Sequence, residues 1–138
     1  MEFFKNNVAR IYYDKSLDTL FLEYLEKVPN DASFVTINQA VLDAFIKLKT
    51  QKFVADIRRM GIISLASQEW VLKNLLPGMI KHLKGKKLYH AQFLDPSEIM
   101  SKVSGGNIKN KSTQVDAAIE VVQFSNEKEL HEYLRSVQ

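Results

Sequence analysis

Two serines, Ser64 and Ser67, lie in the stretch ISLASQEW, just after an apolar segment that ends in charge, FVADIR. A serine ahead of Gln68 and Glu69 accepts hydrogen bonds from the first free amides of a helix. The same amides suit an anion, including a phosphate carried on a serine. Ser67 is therefore read first as the cap of a helix that opens there, and second as an anion or modification site. Asp56 sits inside the apolar segment, where an unpaired carboxylate would be costly. Arg58, two residues on, is its expected ion-pair partner, with a ligand contact as the alternative. No second carboxylate is placed to complete an acid and base pair with Asp56. His82, His90 and His131 fall on three different elements, so a metal would need their convergence in space. SGGNIKNK has glycines and lysines but lacks the Gly-Lys-Ser/Thr ending of a phosphate-binding loop.

These spacings predict no catalytic constellation, no metal and no cofactor. What stands out is the apolar half of the stretch. Ile62, Ile63, Leu65 and Trp70 flank the serines, and Trp70 and Val71 point away from the stripe Leu72, Leu76, Met79 and Leu83. Together they are read as an association surface, for a protein partner or a second copy of the chain, or as the lid of an apolar pocket. The alternative is a loop folded over the end of its own core. Asp56, Arg58, Ile62, Ile63, Ser64, Leu65, Ser67 and Trp70 are thus the candidate contact residues.

Composition sets the frame. The chain has 138 residues, 46% apolar and 25% charged, with no cysteine. One domain of this size buries roughly two thirds of its unfolded surface and needs one core. Without cysteine there is no disulfide framework, thiolate metal site or cysteine nucleophile. Nineteen basic residues against sixteen acidic ones give a net charge of +3. That imbalance is too mild for a nucleic-acid signature, so nucleic acid is not an expected partner. The opening MEFFKNNVAR lacks the pattern of a secretion signal, and no run approaches about 18 apolar residues. The expectation is a cytoplasmic protein with no membrane insertion.

The elements that would position these residues follow from the pattern. VARIYYD and TLFLEYL, joined by DKSLD, predict a β-hairpin. Thr36 with Gln39 is a capping box opening a first helix whose buried stripe is Ile37, Val41, Phe45 and Leu48. FVADIR is a central strand. A second helix runs from Ser67 to Gly85, with a kink or break near Leu75 imposed by Pro77. KLYHAQFL is a strand, PSEIMSKV a short third helix and SGGNIKNKST a mobile loop. AIEVVQF is the last strand. Asn126 and Glu129 form a capping box for a final helix buried through Leu130, Tyr133, Leu134 and Val137. The order β β α β α β α β α predicts an α/β fold, one mixed and mostly parallel sheet of about five strands with helices packed on it. If the later strands are parallel, Lys84, Lys86, Lys87, Lys109 and Lys111 gather where strands begin, as a solvated rim. Asp56, Arg58 and Ser67 gather at the other end.

This order, with Asp56 closing a strand, Ser67 and Trp70 at a helix start, Pro77 inside that helix and the acidic final helix FSNEKELHEYL, resembles the STAS or SpoIIAA-like family. That family includes anti-sigma-factor antagonists. The resemblance covers nearly the whole chain and implies a SpoIIAA-like fold and a non-enzymatic regulatory module acting through protein contacts. The antagonist branch carries a phosphorylated serine in an Asp-Ser-Ser-Gly pattern. Ser64 and Ser67 lie close to that place, but the pattern is absent. A likeness of the fold to lipid-transfer domains is what suggests a small apolar or lipid-like ligand.

Overall fold

A computed structural model describes residues 1–137. It is an α/β architecture built on one six-stranded sheet whose strands follow one another in space as they do in sequence. β1 (Glu2–Lys5), β2 (Ala9–Asp14) and β3 (Thr19–Tyr24) form an antiparallel meander. β3, β4 (Lys52–Asp56), β5 (Leu88–Phe93) and β6 (Ile119–Phe124) run parallel. The predicted hairpin is β2 and β3. The sixth strand is β1, which the sequence reading missed because four residues show too little alternation. It lies at the edge, with Phe3 and Phe4 half-buried against the core.

Each parallel pair is joined by a crossover helix. α1 (Asp31–Ile46) links β3 to β4, and α4 (Ile99–Val115) links β5 to β6. Between β4 and β5 runs one helical segment in three parts: α2 (Leu65–Trp70), a π-helical turn (Val71–Leu75) and α3 (Leu76–Leu83). α5 (Glu127–Ser136) follows β6. Successive strand residues face opposite sides of the sheet, and two cores result. The larger joins Ile11, Leu20, Leu22, Phe53, Ala55 and Leu88 to α1, the π turn, α3 and α4. The smaller joins Phe21, Val54, Ala91 and Phe93 to Leu130 and Leu134 of α5.

Three predicted features are corrected by tertiary packing. The first helix opens at Asp31 with Asn30 as its cap, which accepts from the Ser33 amide at 2.8 Å. Thr36 stands exposed in the second turn. The helix starts early because Phe34 reaches the core, only 2% exposed. The expected stripe of Ile37, Val41 and Phe45 is buried as the period predicts.

The second correction concerns SGGNIKNKST, which is helical rather than a loop, so PSEIMSKV and that stretch form the single helix α4. Two glycines argue against a helix by propensity. Gly105 is nevertheless required by the approach of α4 to the sheet. A Cβ there would stand 2.4 Å from Ile57 Cδ1 and 3.0 Å from Gln92 Oε1. The neighbouring face is lined by the buried Ser101, Ser104 and Ser112, small residues that let the helix sit close. Lys109 and Lys111 are carried on this helix.

The third correction is to the second helix. Pro77 does disturb it near Leu75, as expected, but through a π turn in which the Leu76 amide donates to the Val71 carbonyl, five residues back. The wider turn brings Val71 and Leu75 inward beside Leu76 and Met79, so all four are buried. Val71 therefore does not point away from the stripe, and Trp70 is half-buried against the main core. Lys84, with a left-handed φ of 51°, and Gly85, at 92°, then end the helix.

The two glycines of α4 provide a test of this packing. Gly106→Ala meets nothing within 4 Å and is expected to stabilise by about 0.5 to 1 kcal/mol through helix propensity. Gly105→Ala is expected to destabilise by about 1 to 3 kcal/mol, because Ile57 is itself buried and cannot retreat. Urea titration of both variants measures the contrast, and equal effects would refute the close approach.

Candidate functional site

The chain leaves β4 at Asp56 and does not enter α2 until Leu65. This connection crosses the carboxyl end of the parallel strands, where open α/β sheets bind ligands. Serines of α4 pin it. The Gly61 amide donates to Ser101 Oγ at 2.7 Å and the Ile63 amide to Ser104 Oγ at 3.1 Å. Gly61 turns the chain at a φ of 74°, a conformation that favours glycine. With Gly61 and Ile63 held, alternation sends neighbouring side chains opposite ways. Ile63 is 6% exposed and belongs to the core, whereas Ile62 is 62% exposed. Of the expected apolar contact surface, Ile62 and Leu65 are therefore on the outside, and Ile63 is not.

Both serines are engaged by one carboxylate that the sequence did not single out. Ser64 and Ser67 each donate from Oγ to Asp31 Oδ1 at 2.6 Å. The cap is Ser64, whose Oγ accepts from the Ser67 amide at 3.0 Å. Ser67, expected as the cap, is instead a residue of the first turn and is 1% exposed. The reason is that α2 starts two residues earlier, where the pinned connection delivers the chain. Hydrogen bonds from Ser64 and then Ser67 hold the Asp31 carboxyl below the usual carboxylate range. Asp31 is the first residue of α1, so the clamp joins the amino ends of α1 and α2.

Asp56 and Arg58 form the expected pair. Arg58 donates Nε to Oδ1 at 2.9 Å and an Nη to Oδ2 at 2.7 Å, the two-pronged geometry of a strong contact. The guanidinium lies 4.2 Å from the Phe93 ring centre. Asp56 faces α5, however, while the serine clamp lies against α1. The predicted contact residues thus divide between opposite faces of the sheet.

Three further exposed apolar residues lie at the start of α4. Ile99, Met100 and Val103 are 66%, 51% and 50% exposed; the Gly61 and Ile63 amides hold the Ser101 and Ser104 side of that helix, and helical geometry turns Ile99 and Val103 away from it. The signal lies in PSEIMSKV, where Ile99 and Met100 stand four and three residues before Val103, but a brief helix leading into a loop gives such residues no defined surface.

Beneath this rim lies a cavity of about 30 Å³, walled by Phe34, Val71 and Leu75 and reached by the side chains of Tyr24, Asn38 and His90. Asn38 donates to Tyr24 Oη at 3.2 Å and to the Phe34 carbonyl at 2.9 Å. His90 Nδ1 lies 3.1 Å from the Phe53 carbonyl, which can only accept, so the proton is on Nδ1 and Nε2 is an acceptor. Burial pushes the His90 imidazole down to about 4. The space suits about one water molecule. Among the described residues no three His, Asp or Glu side chains converge as a metal site would require. His82 bonds the Leu48 carbonyl and His131 faces Glu127. No helix is long and apolar enough to cross a membrane.

Ser64→Ala is expected to cost about 1 kcal/mol in urea unfolding as a lost cap. The His90 imidazole has a second, pH-dependent signature. Its folded value lies below the ordinary 6.5, so the unfolded chain takes up the proton first as pH falls. Its contribution is complete above pH 6.5 and disappears between there and about 4, a loss of roughly 3 kcal/mol. Chemical denaturation at a series of pH values should show that slope, and His90→Gln should flatten it. Compared with protein-family models, curated proteins and solved structures, the chain finds no match.

Proposed function

We propose that the chain is a non-enzymatic regulatory module of STAS type that works through protein contacts at the rim formed by the β4–α2 connection and the start of α4. The observation that carries this reading is five large apolar side chains, each at least half exposed, Ile62 and Leu65 on the connection and Ile99, Met100 and Val103 around the start of α4. Their concentration on two packed segments, rather than scatter over the whole surface, favours an association site. The resemblance drawn from the element order supports the same class of function.

The occupant that fits best is a second copy of the chain. An apolar patch is complementary to itself across a two-fold axis and needs no opposing charge. Sedimentation velocity over a wide dilution series tests this. The wild type is expected to dissociate on dilution, and Leu65→Glu or Ile99→Glu to be monomeric throughout with the melting temperature retained. A wild type that stays monomeric at high concentration would defeat the self-association part.

A second reading, a carrier of a small apolar or lipid-like ligand, draws on the apolar walls of the cavity beneath the rim. Its volume of about 30 Å³ weighs against it, since sites for small organic ligands run to roughly 300 Å³ and more. Native mass spectrometry of freshly purified protein separates the readings, because a co-purifying ligand would favour the carrier.

A further inference from the structure

At the amino end of the sheet, opposite the rim, a cleft of about 310 Å³ opens between the β2–β3 turn and the end of α5. Lys52, the first residue of β4, lines it. Its side chain runs along the α5 face of the sheet and Nζ donates to the Leu134 carbonyl at 2.7 Å. The residue is 8% exposed, yet among the described residues no carboxylate lies within salt-bridge distance of it. A buried ammonium usually has a counter-charge, because removing it from water is costly. One carbonyl at the negative end of a helix compensates in part. Lys49 and Arg135 line the same cleft, and neither is paired with a carboxylate among the described residues.

We propose that this cleft binds a small hydroxylated oxyanion of the phosphate monoester class, with Lys52, Lys49 and Arg135 holding the anionic group. The guanidinium supplies a planar pair of donors for two oxygens, and the lysines supply point charges. Gln51 directs its side-chain amide to the Lys87 carbonyl at 2.9 Å and carries no charge for the anion. Asp18, also in the wall, carries a negative charge and accepts from Tyr13 Oη at 2.6 Å. It disfavours a bare anion and favours one with a hydroxyl to donate to it. The volume matches a ligand of that modest size. The lysines expected to form a solvated rim, Lys84, Lys86, Lys87, Lys109 and Lys111, take no part.

The test is an amide-detected NMR titration of the full chain at about 0.15 M salt, where surface charge is largely screened. Inorganic phosphate and glycerol phosphate are the probes, with sodium chloride at matched ionic strength as control. Saturable shifts are expected at Leu17, Gln51, Lys52 and Arg135, with a dissociation constant of about 1 mM or below for glycerol phosphate and weaker binding of phosphate alone. Arg135→Gln changes an exposed residue and leaves the fold intact. It should weaken binding by roughly tenfold or more, the usual scale for a charge-assisted bond. Lys52→Met keeps the length of the stem and should remove saturation. Linear shifts, equal shifts with chloride, equal affinity for the two phosphates, or saturation that survives both substitutions would each overturn the proposal.

Discussion

Each of the three crossovers in this chain joins two parallel strands that are immediate neighbours in the sheet, and each advances in the same direction across it. A crossover of fixed hand that always advances one strand the same way places its helix on the same face every time. α1, the α2–α3 segment and α4 therefore share one core, and α5, which follows β6, covers the other face. The unequal cores follow from this. So does the position of the two surface features of interest, since a helix that returns antiparallel to the strands brings its amino end to their carboxyl ends.

Three helices on one face must also fit side by side, and their contacts explain the local irregularities. Gly105 and the buried serines thin α4 where it crosses Ile57 and Gln92. The π turn widens the middle segment so that Val71 and Leu75 fill the space between α1 and α4. Where that filling is incomplete, a small cavity remains, reached by Tyr24, Asn38 and His90. A neutral imidazole bonded to a strand carbonyl is what such a site tolerates, because an uncompensated charge there would have to be desolvated.

The two ends of the sheet carry different chemistry. At the carboxyl end, serine hydroxyls tie the β4–α2 connection to α1 and α4, and leave Ile62 and Leu65 outside. At the amino end, Lys49, Lys52 and Arg135 line one cleft with Asp18, and among the described residues none of the three is within salt-bridge distance of a carboxylate. The exposed apolar side chains at the carboxyl end and the basic cleft at the amino end share no residue. α1 spans the distance between them, from the Asp31 clamp to the segment that carries Lys49.

By itself the sequence determined the elements whose evidence is local. The β2–β3 hairpin, the buried period of α1, the disturbance at Pro77, the Asn126 cap, the Asp56 pair with Arg58 and the parallel, α/β character were all legible, because each rests on residues a few positions apart. Tertiary structure decided the rest. Gly105 and Gly106 read as loop until a neighbouring strand demands a close helix, and Ser67 reads as a cap until the pinned connection moves the start of α2 to Ser64. Ile62 and Ile63 are identical in type, and only the bonds to Ser101 and Ser104, about forty residues away, turn one outward and one in. Lys52 in a strand gives no local sign that its ammonium will be buried against the Leu134 carbonyl. Exposure and charge compensation depend on what lies opposite in space, and a chain read along its length cannot show that.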